Sequence, residues 1–175
     1  MKQFFLPAMI CSFVFFAACN NEAGTSENNN ADADSMADNS STSNMGNGSN
    51  DVMMKQGITL SSSQEVPANS STATGTADVS YNKSTQMLTY TVNWNSLTAA
   101  PSMAHIHGTA PKGTNAGVKH NLTPLLSKAV SGNFTDSVKV DGTMIKEDSL
   151  LAGFYYFNFH TPANPGGEIR GQIEF

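Results

Sequence analysis

From Met87 to Trp94 polar and apolar side chains alternate without a break: Leu88, Tyr90, Val92 and Trp94 on one side, Met87, Thr89, Thr91 and Asn93 on the other. A strict period of two sends successive side chains to opposite faces of a pleated strand, and a helical period cannot satisfy it. Just before it, Ala77, Val79 and Tyr81 alternate with Thr76, Asp78 and Ser80, and Asn82-Lys83-Ser84-Thr85 forms a turn cluster between the two runs. The pair predicts a hairpin. Phe134 to Val140 and Phe154 to His160 are also strand-like, and the chain closes with Ile169, Gly171, Ile173 and Phe175 alternating with Glu168, Arg170, Gln172 and Glu174. Only Ile145 to Ala152 has the pattern for a helical turn or two. Short strands punctuated by Gly, Pro and Asn, with no long helix, predict an all-β fold: an antiparallel β-sandwich or barrel beginning at Gly57.

The N-terminal third follows different rules. Met1-Lys2-Gln3 is a short positive start, Phe4 to Phe16 is almost continuously apolar, and Phe16-Ala17-Ala18-Cys19 ends the run with small residues before a Cys. A charged start, an apolar stretch and small residues at a cleavage point describe a secretory signal. The final Phe-Ala-Ala-Cys resembles a bacterial lipobox, which implies a signal peptide over residues 1–18 and lipidation of Cys19. Cys11 and Cys19 are the two cysteines of the chain, so no disulfide framework is available to the folded body.

Residues 19–56 are built largely from Asn, Ser, Ala, Asp and Gly and contain no aromatic residue. Such a segment buries too little apolar surface to offset its ordering entropy and is expected to be a disordered tether. As a flexible chain it spans about 30–35 Å on average, enough to hold a domain clear of lipid headgroups. The tether also carries the charge. Glu22, Glu27, Asp32, Asp34, Asp38 and Asp51 are six of the 14 acids in a chain of formal charge -5; removing them and Lys2 leaves eight acids and eight bases from Val52 onward. A formally neutral body with few clustered Lys or Arg argues against nucleic-acid binding. No later apolar run reaches the ~18 residues of a membrane span.

Several stretches in order along the body resemble one family. They are Gln64-Glu65-Val66-Pro67, Ala73-Thr74-Gly75-Thr76-Ala77, Leu88-Thr89-Tyr90-Thr91-Val92, Ala104-His105-Ile106-His107-Gly108, Phe159-His160-Thr161, and Pro165-Gly166-Gly167-Glu168-Ile169-Arg170-Gly171-Gln172-Ile173. Together they look like a single chordin-type (CHRD) domain over residues 57–175. The resemblance implies a β-sandwich of immunoglobulin-like or superoxide-dismutase-like appearance, and a place among secreted or lipid-anchored bacterial proteins. Growth-factor binding, for which the animal members are known, does not carry over to a bacterial lipoprotein.

All four histidines lie in this domain. His105 and His107, two apart on a strand, project to one face, opposite Ala104 and Ile106. His160 lies on the Tyr156 and Asn158 side of its strand, away from Tyr155, Phe157 and Phe159. If the two strands are neighbours, His105, His107 and His160 form a three-imidazole set suited to copper or zinc, with His120 as a further candidate ligand. The other reading is that His105 and His107 hydrogen-bond loop backbone and fix the Thr109–Leu122 connection. The His-x-His-Gly string is similar to one in copper–zinc superoxide dismutases, a likeness of local motif that does not transfer activity.

Glu168 and Arg170 share a strand face and can pair there, either structurally or with Arg170 holding an anion. Gly166-Gly167 suggests positive φ or close backbone approach, and Gly171 a bulge or a neighbouring aromatic. No nucleophile elbow, phosphate loop, dinucleotide fingerprint or paired carboxylates are present. The leading expectation is a cell-envelope lipoprotein whose CHRD domain is a non-catalytic binding module. Its partners are then a membrane, through the lipid, and a protein or small ligand. The alternatives are a histidine-based copper or zinc protein, with or without superoxide-dismutase-like redox chemistry, and a structural or adhesive surface domain.

Overall fold

The computed structural model describes residues 51–175. The expected signal peptide, Cys19 and the tether as far as residue 50 lie outside the described residues. Eight strands follow in order: β1 (Val52–Ser61), β2 (Thr74–Asn82), β3 (Met87–Asn95), β4 (Met103–His107), β5 (Val118–Asn121), β6 (Gly132–Lys139), β7 (Tyr155–His160) and β8 (Ile169–Ile173). A single short helix, α1 (Glu147–Leu151), sits where the sequence allowed one. Among the described residues no helix is long and apolar enough to cross a membrane.

The strands run in the order β5-β4-β7-β8-β1-β2-β3-β6, and every pair is antiparallel. β8 and β1 meet at one bridged pair, Ser61 opposite Arg170. The architecture is therefore two four-stranded sheets joined at that corner and packed face to face as a sandwich. The β2–β3 hairpin pairs as the alternation requires, from Thr74 opposite Asn95 to Asn82 opposite Met87. Its turn is held by the Asn82 side chain, which accepts from the Thr85 amide at 3.0 Å.

The inner faces carry the apolar half of each alternating pattern. Leu88, Tyr90, Val92 and Trp94 of β3 face Phe157 and Phe159 of β7, all buried. Tyr90 meets Phe157 edge-on at 5.5 Å between ring centres, and Trp94 meets Phe159 at 5.4 Å. Aromatic pairs in this range add to the burial of their area. The buried Trp94 indole satisfies its N–H on the Ala129 carbonyl at 3.1 Å.

One boundary is corrected. The tether was expected to run to residue 56, but β1 begins at Val52, and Val52 to Lys55 pair with Asn82 to Val79. The register shifts between Lys55 and Ile58, where Gly57 takes a φ of 67° and its amide donates to Asp78 Oδ1 at 2.8 Å. A bulge resets the alternation. The residues before it are mostly exposed and show no apolar period that would betray a strand.

Candidate metal centre

Strand β4 divides its side chains cleanly. Ala104 and Ile106 are fully buried toward the core, which leaves Met103, His105 and His107 on the opposite face. In register across the β4–β7 pair lie His160, Asn158 and Tyr156, opposite Met103, His105 and His107 in turn. Residues directly opposite in an antiparallel pair share a face, so β7 brings its only histidine onto the surface of β4 that carries the other two. All six residues of β7 are buried. Its outer face is thus polar yet covered, and the cover comes from loops.

Three segments form that cover. The connection after β4 folds back so that the Ala116 carbonyl lies 2.9 Å from His107 Nδ1, while the Ala116 amide donates to the Tyr156 hydroxyl at 3.0 Å. The Pro165 carbonyl lies 2.9 Å from His160 Nδ1. The segment after β1 adds Glu65, whose Oε1 accepts from Asn158 Nδ2 at 2.5 Å. Gly167 makes this approach possible: a Cβ there would meet Asn158 Nδ2, and it would lie 2.6 Å from Glu65 Oε1. The sequence reading of that turn as a close backbone approach is what the geometry shows.

A carbonyl only accepts, so His107 and His160 both carry their proton on Nδ1 and leave Nε2 with a free lone pair. His107 Nε2 is buried and has no hydrogen-bond partner in the protein. His160 Nε2 lies 3.3 Å from His105 Nδ1, which must then be the donor. One nitrogen from each of the three rings lies within 4.8 Å of the others. A common ion at ~2.0–2.1 Å from each nitrogen needs separations of roughly 3.3–3.5 Å, so side-chain rotation of about an ångström closes the set.

Electrostatically the three rings are held neutral. Burial lowers His105 to about 4, helped by the neighbouring His160 and His107. Burial also lowers His160, against the bond to Pro165. It lowers His107 too, with the Ala116 bond opposing and the charge of Arg170 assisting. Neutral imidazole is the form that ligates metal. The ring of His107 stacks on Tyr156, 5.0 Å between centres and 6° from parallel. The Arg170 guanidinium sits 3.5 Å from the centre of that same Tyr156 ring.

The structure brings His105, His107 and His160 together and leaves His120 out. His120 is opposite Ile106, hence on the core-facing side of β4 and across the sheet from the cluster. Two further placements depart from expectation. Glu168 and Arg170 do not pair: among the described residues the ion pair is Lys112–Glu174, 3.5 Å apart at the surface. Arg170, almost fully buried, donates to the Thr114 carbonyl at 2.9 Å, Asn115 Oδ1 at 3.3 Å and Gln172 Oε1 at 3.2 Å. It therefore pins the loop over the histidines. Glu168 lies just before β8 and accepts from Ser71, Thr98 and Thr161. Burial would raise its carboxyl, but these bonds outweigh that and hold it below the usual range.

Tyr156, Asn158 and Glu65 are parts of the site that the histidine motif does not announce. Glu65 is pushed up to about 7 by burial, against the charge of Arg170 and the bond from Asn158. The readable signal was the alternation of β7, in which Tyr156 and Asn158 necessarily share the face of His160. Gly171 is explained by an aliphatic neighbour: a Cβ there would lie 2.8 Å from Leu60 side-chain atoms and from the Thr59 carbonyl.

Residues 57–173 match the CHRD domain family. Neither the curated proteins nor the solved structures contain a significant match to this chain. With the family pattern covering the sandwich from Gly57 in β1 to Ile173 at the end of β8, the histidine-bearing face included, the chain belongs to the CHRD domain family.

Proposed function

We propose that the protein is a metal-capture module, a CHRD domain that holds one copper or zinc ion on His105, His107 and His160 and is carried at the cell envelope by a lipid on Cys19. Family membership supports a binding-type module. The observation that supports a metal as the ligand is the convergence of three neutral imidazoles within 4.8 Å, two of them with Nδ1 fixed by a carbonyl. Such outer bonds set the tautomer and aim Nε2 in metal–histidine sites generally. A histidine that only pinned a loop would have no need to bury its second nitrogen unpaired, at a cost of about 1–3 kcal/mol. His107 does so.

Binding without turnover is the reading favoured here. His105, partnered by His160, switches its proton from Nδ1 to Nε2 when an ion enters, so no net proton leaves. Titration of the purified protein with copper and with zinc tests the proposal. One equivalent is expected in wild type, with affinity lost in His107→Ala and His160→Ala; equal uptake by all three proteins removes the histidines from the function. The anchor is tested by metabolic labelling with a fatty acid, where label retained in Cys19→Ser rejects it.

A further inference from the structure

The row of side chains on the outer face of β4 does not end at the histidines. Met103 precedes them with the same two-residue spacing, and its register partner across the pair is His160. Side chains so placed have Cβ atoms about 4.5–5.5 Å apart. A methionine side chain turns about three bonds, so its sulfur can reach over a neighbouring ring. Met103 is 41% exposed, whereas Ala104 beside it is wholly in the core. It is a large apolar side chain outside the core cluster, directly opposite His160 and two residues from His105 on the same face.

The other end of the row is closed. Beyond His107 the ring of Tyr156 stacks on the imidazole and Ala116 lies across Nδ1, while the far nitrogen of His160 is taken by Pro165. Neither a carboxylate nor a thiolate belongs to the cluster. Two further donors stand on this face: Asn158, opposite His105, whose buried Oδ1 has no hydrogen-bond partner, is a hard one, and the thioether at the Met103 end is the soft one.

We propose that Met103 completes the site as a thioether ligand and that the ion the site is built to take is monovalent copper. The inference rests on the three-imidazole reading and sharpens it. Zinc is bound by thiolate, imidazole and carboxylate, and gains nothing from a thioether. Soft thioether sulfur selects copper(I), which also accepts imidazole. The set is uncharged throughout, which suits a single positive charge in a partly buried place better than a double one.

The experiment supplies copper directly as copper(I) under anaerobic conditions, against a competing chelator, and zinc in parallel. The protein is the full chain with Cys11→Ser and Cys19→Ser, so that no thiol competes. Wild type is expected to bind copper(I) and zinc. Met103→Leu, a change at an exposed position of similar volume, is expected to weaken copper(I) on the order of tenfold, the low end of what loss of a supporting group costs. Zinc affinity should be unchanged. X-ray absorption of the copper(I) form should show a sulfur neighbour that disappears in Met103→Leu. Equal copper(I) affinity in Met103→Leu overturns the role of Met103 while leaving the imidazole site standing. Unchanged affinity for both ions in His107→Ala removes the site beneath it, and the two failures are thereby distinguishable.

Discussion

Glu168 collects four hydrogen bonds from three separate connections: Ser71 after β1, the amide and hydroxyl of Thr98 after β3, and Thr161 after β7. It is fully buried and its charge is met by donors instead of a cation. Bonds to a buried charge are stronger than neutral ones, and removing the acceptor strands every donor at once. Glu168→Ala is expected to cost about 3–4 kcal/mol by urea unfolding at neutral pH, and Ser71→Ala, which removes one donor, about 1 kcal/mol. A loss below about 1 kcal/mol in Glu168→Ala would show that the carboxylate is not the tie between these loops. The same local logic places His107 and His160: Nδ1 is spent on holding the ring, and Nε2 is left to act.

At the scale of elements, the critical joint is the corner where β1 leaves one sheet and β8 begins the other. Leu60, fully buried there, fits against two glycines from two different strands. A Cβ on Gly75 would lie 3.1 Å from Leu60 Cβ, and one on Gly171 would lie 2.8 Å from Leu60 Cγ and Cδ1. The glycines are holes for one knob. Leu60→Ala is expected to cost about 2–5 kcal/mol through lost burial and the cavity left behind. Gly171→Ala should be costly in wild type but cheaper in the Leu60→Ala background, where the new methyl occupies part of the vacated space. A double-mutant cycle by chemical denaturation measures this, and strict additivity would mean that the two residues do not share the joint. Because the histidine face lies on β4 and β7, beyond β8 from this corner, these changes test the scaffold without touching the cluster.

For the whole molecule, the buried polar face makes stability depend on pH in two opposing ways. The three histidines have pKa values lowered below 6.5, His105 to about 4. Acid therefore protonates the unfolded chain first, and their contribution is full above 6.5 and lost as pH falls toward 4. Glu65 runs the other way: raised from 4.5 to about 7, it contributes fully below 4.5 and loses its contribution as pH rises through 7. Between pH 5 and 7 the two slopes oppose each other. Glu65→Gln removes the falling one, so the gain in unfolding free energy from pH 5 to pH 7, without metal, is expected to be larger in Glu65→Gln than in wild type. An identical gain would show that Glu65 does not titrate in this window. Bound metal should raise the unfolding free energy across the window, because an ion that binds only the folded chain stabilises it.

Much of this was legible in the order of residues alone. Alternation is a local property, so β2, β3, β6, β7 and β8, the hairpin at Asn82 and the assignment of Tyr155, Phe157 and Phe159 to the core follow from it, as does the common face of His105 and His107; β5, inside the Thr109–Leu122 connection, has no such pattern and shows only in the structure. The QEVP and PGGEIRGQI segments carried the family. Tertiary structure alone decided which strands are neighbours, because strand pairing depends on contacts distant in sequence that no local period encodes. It set His160 beside His105 and turned His120 away with Ile106. It separated Glu168 from Arg170, since a shared face permits pairing but burial directs each to whichever donors or acceptors the loops deliver. It also started β1 before its bulge, where exposed residues pair by backbone alone and leave no trace in side-chain pattern.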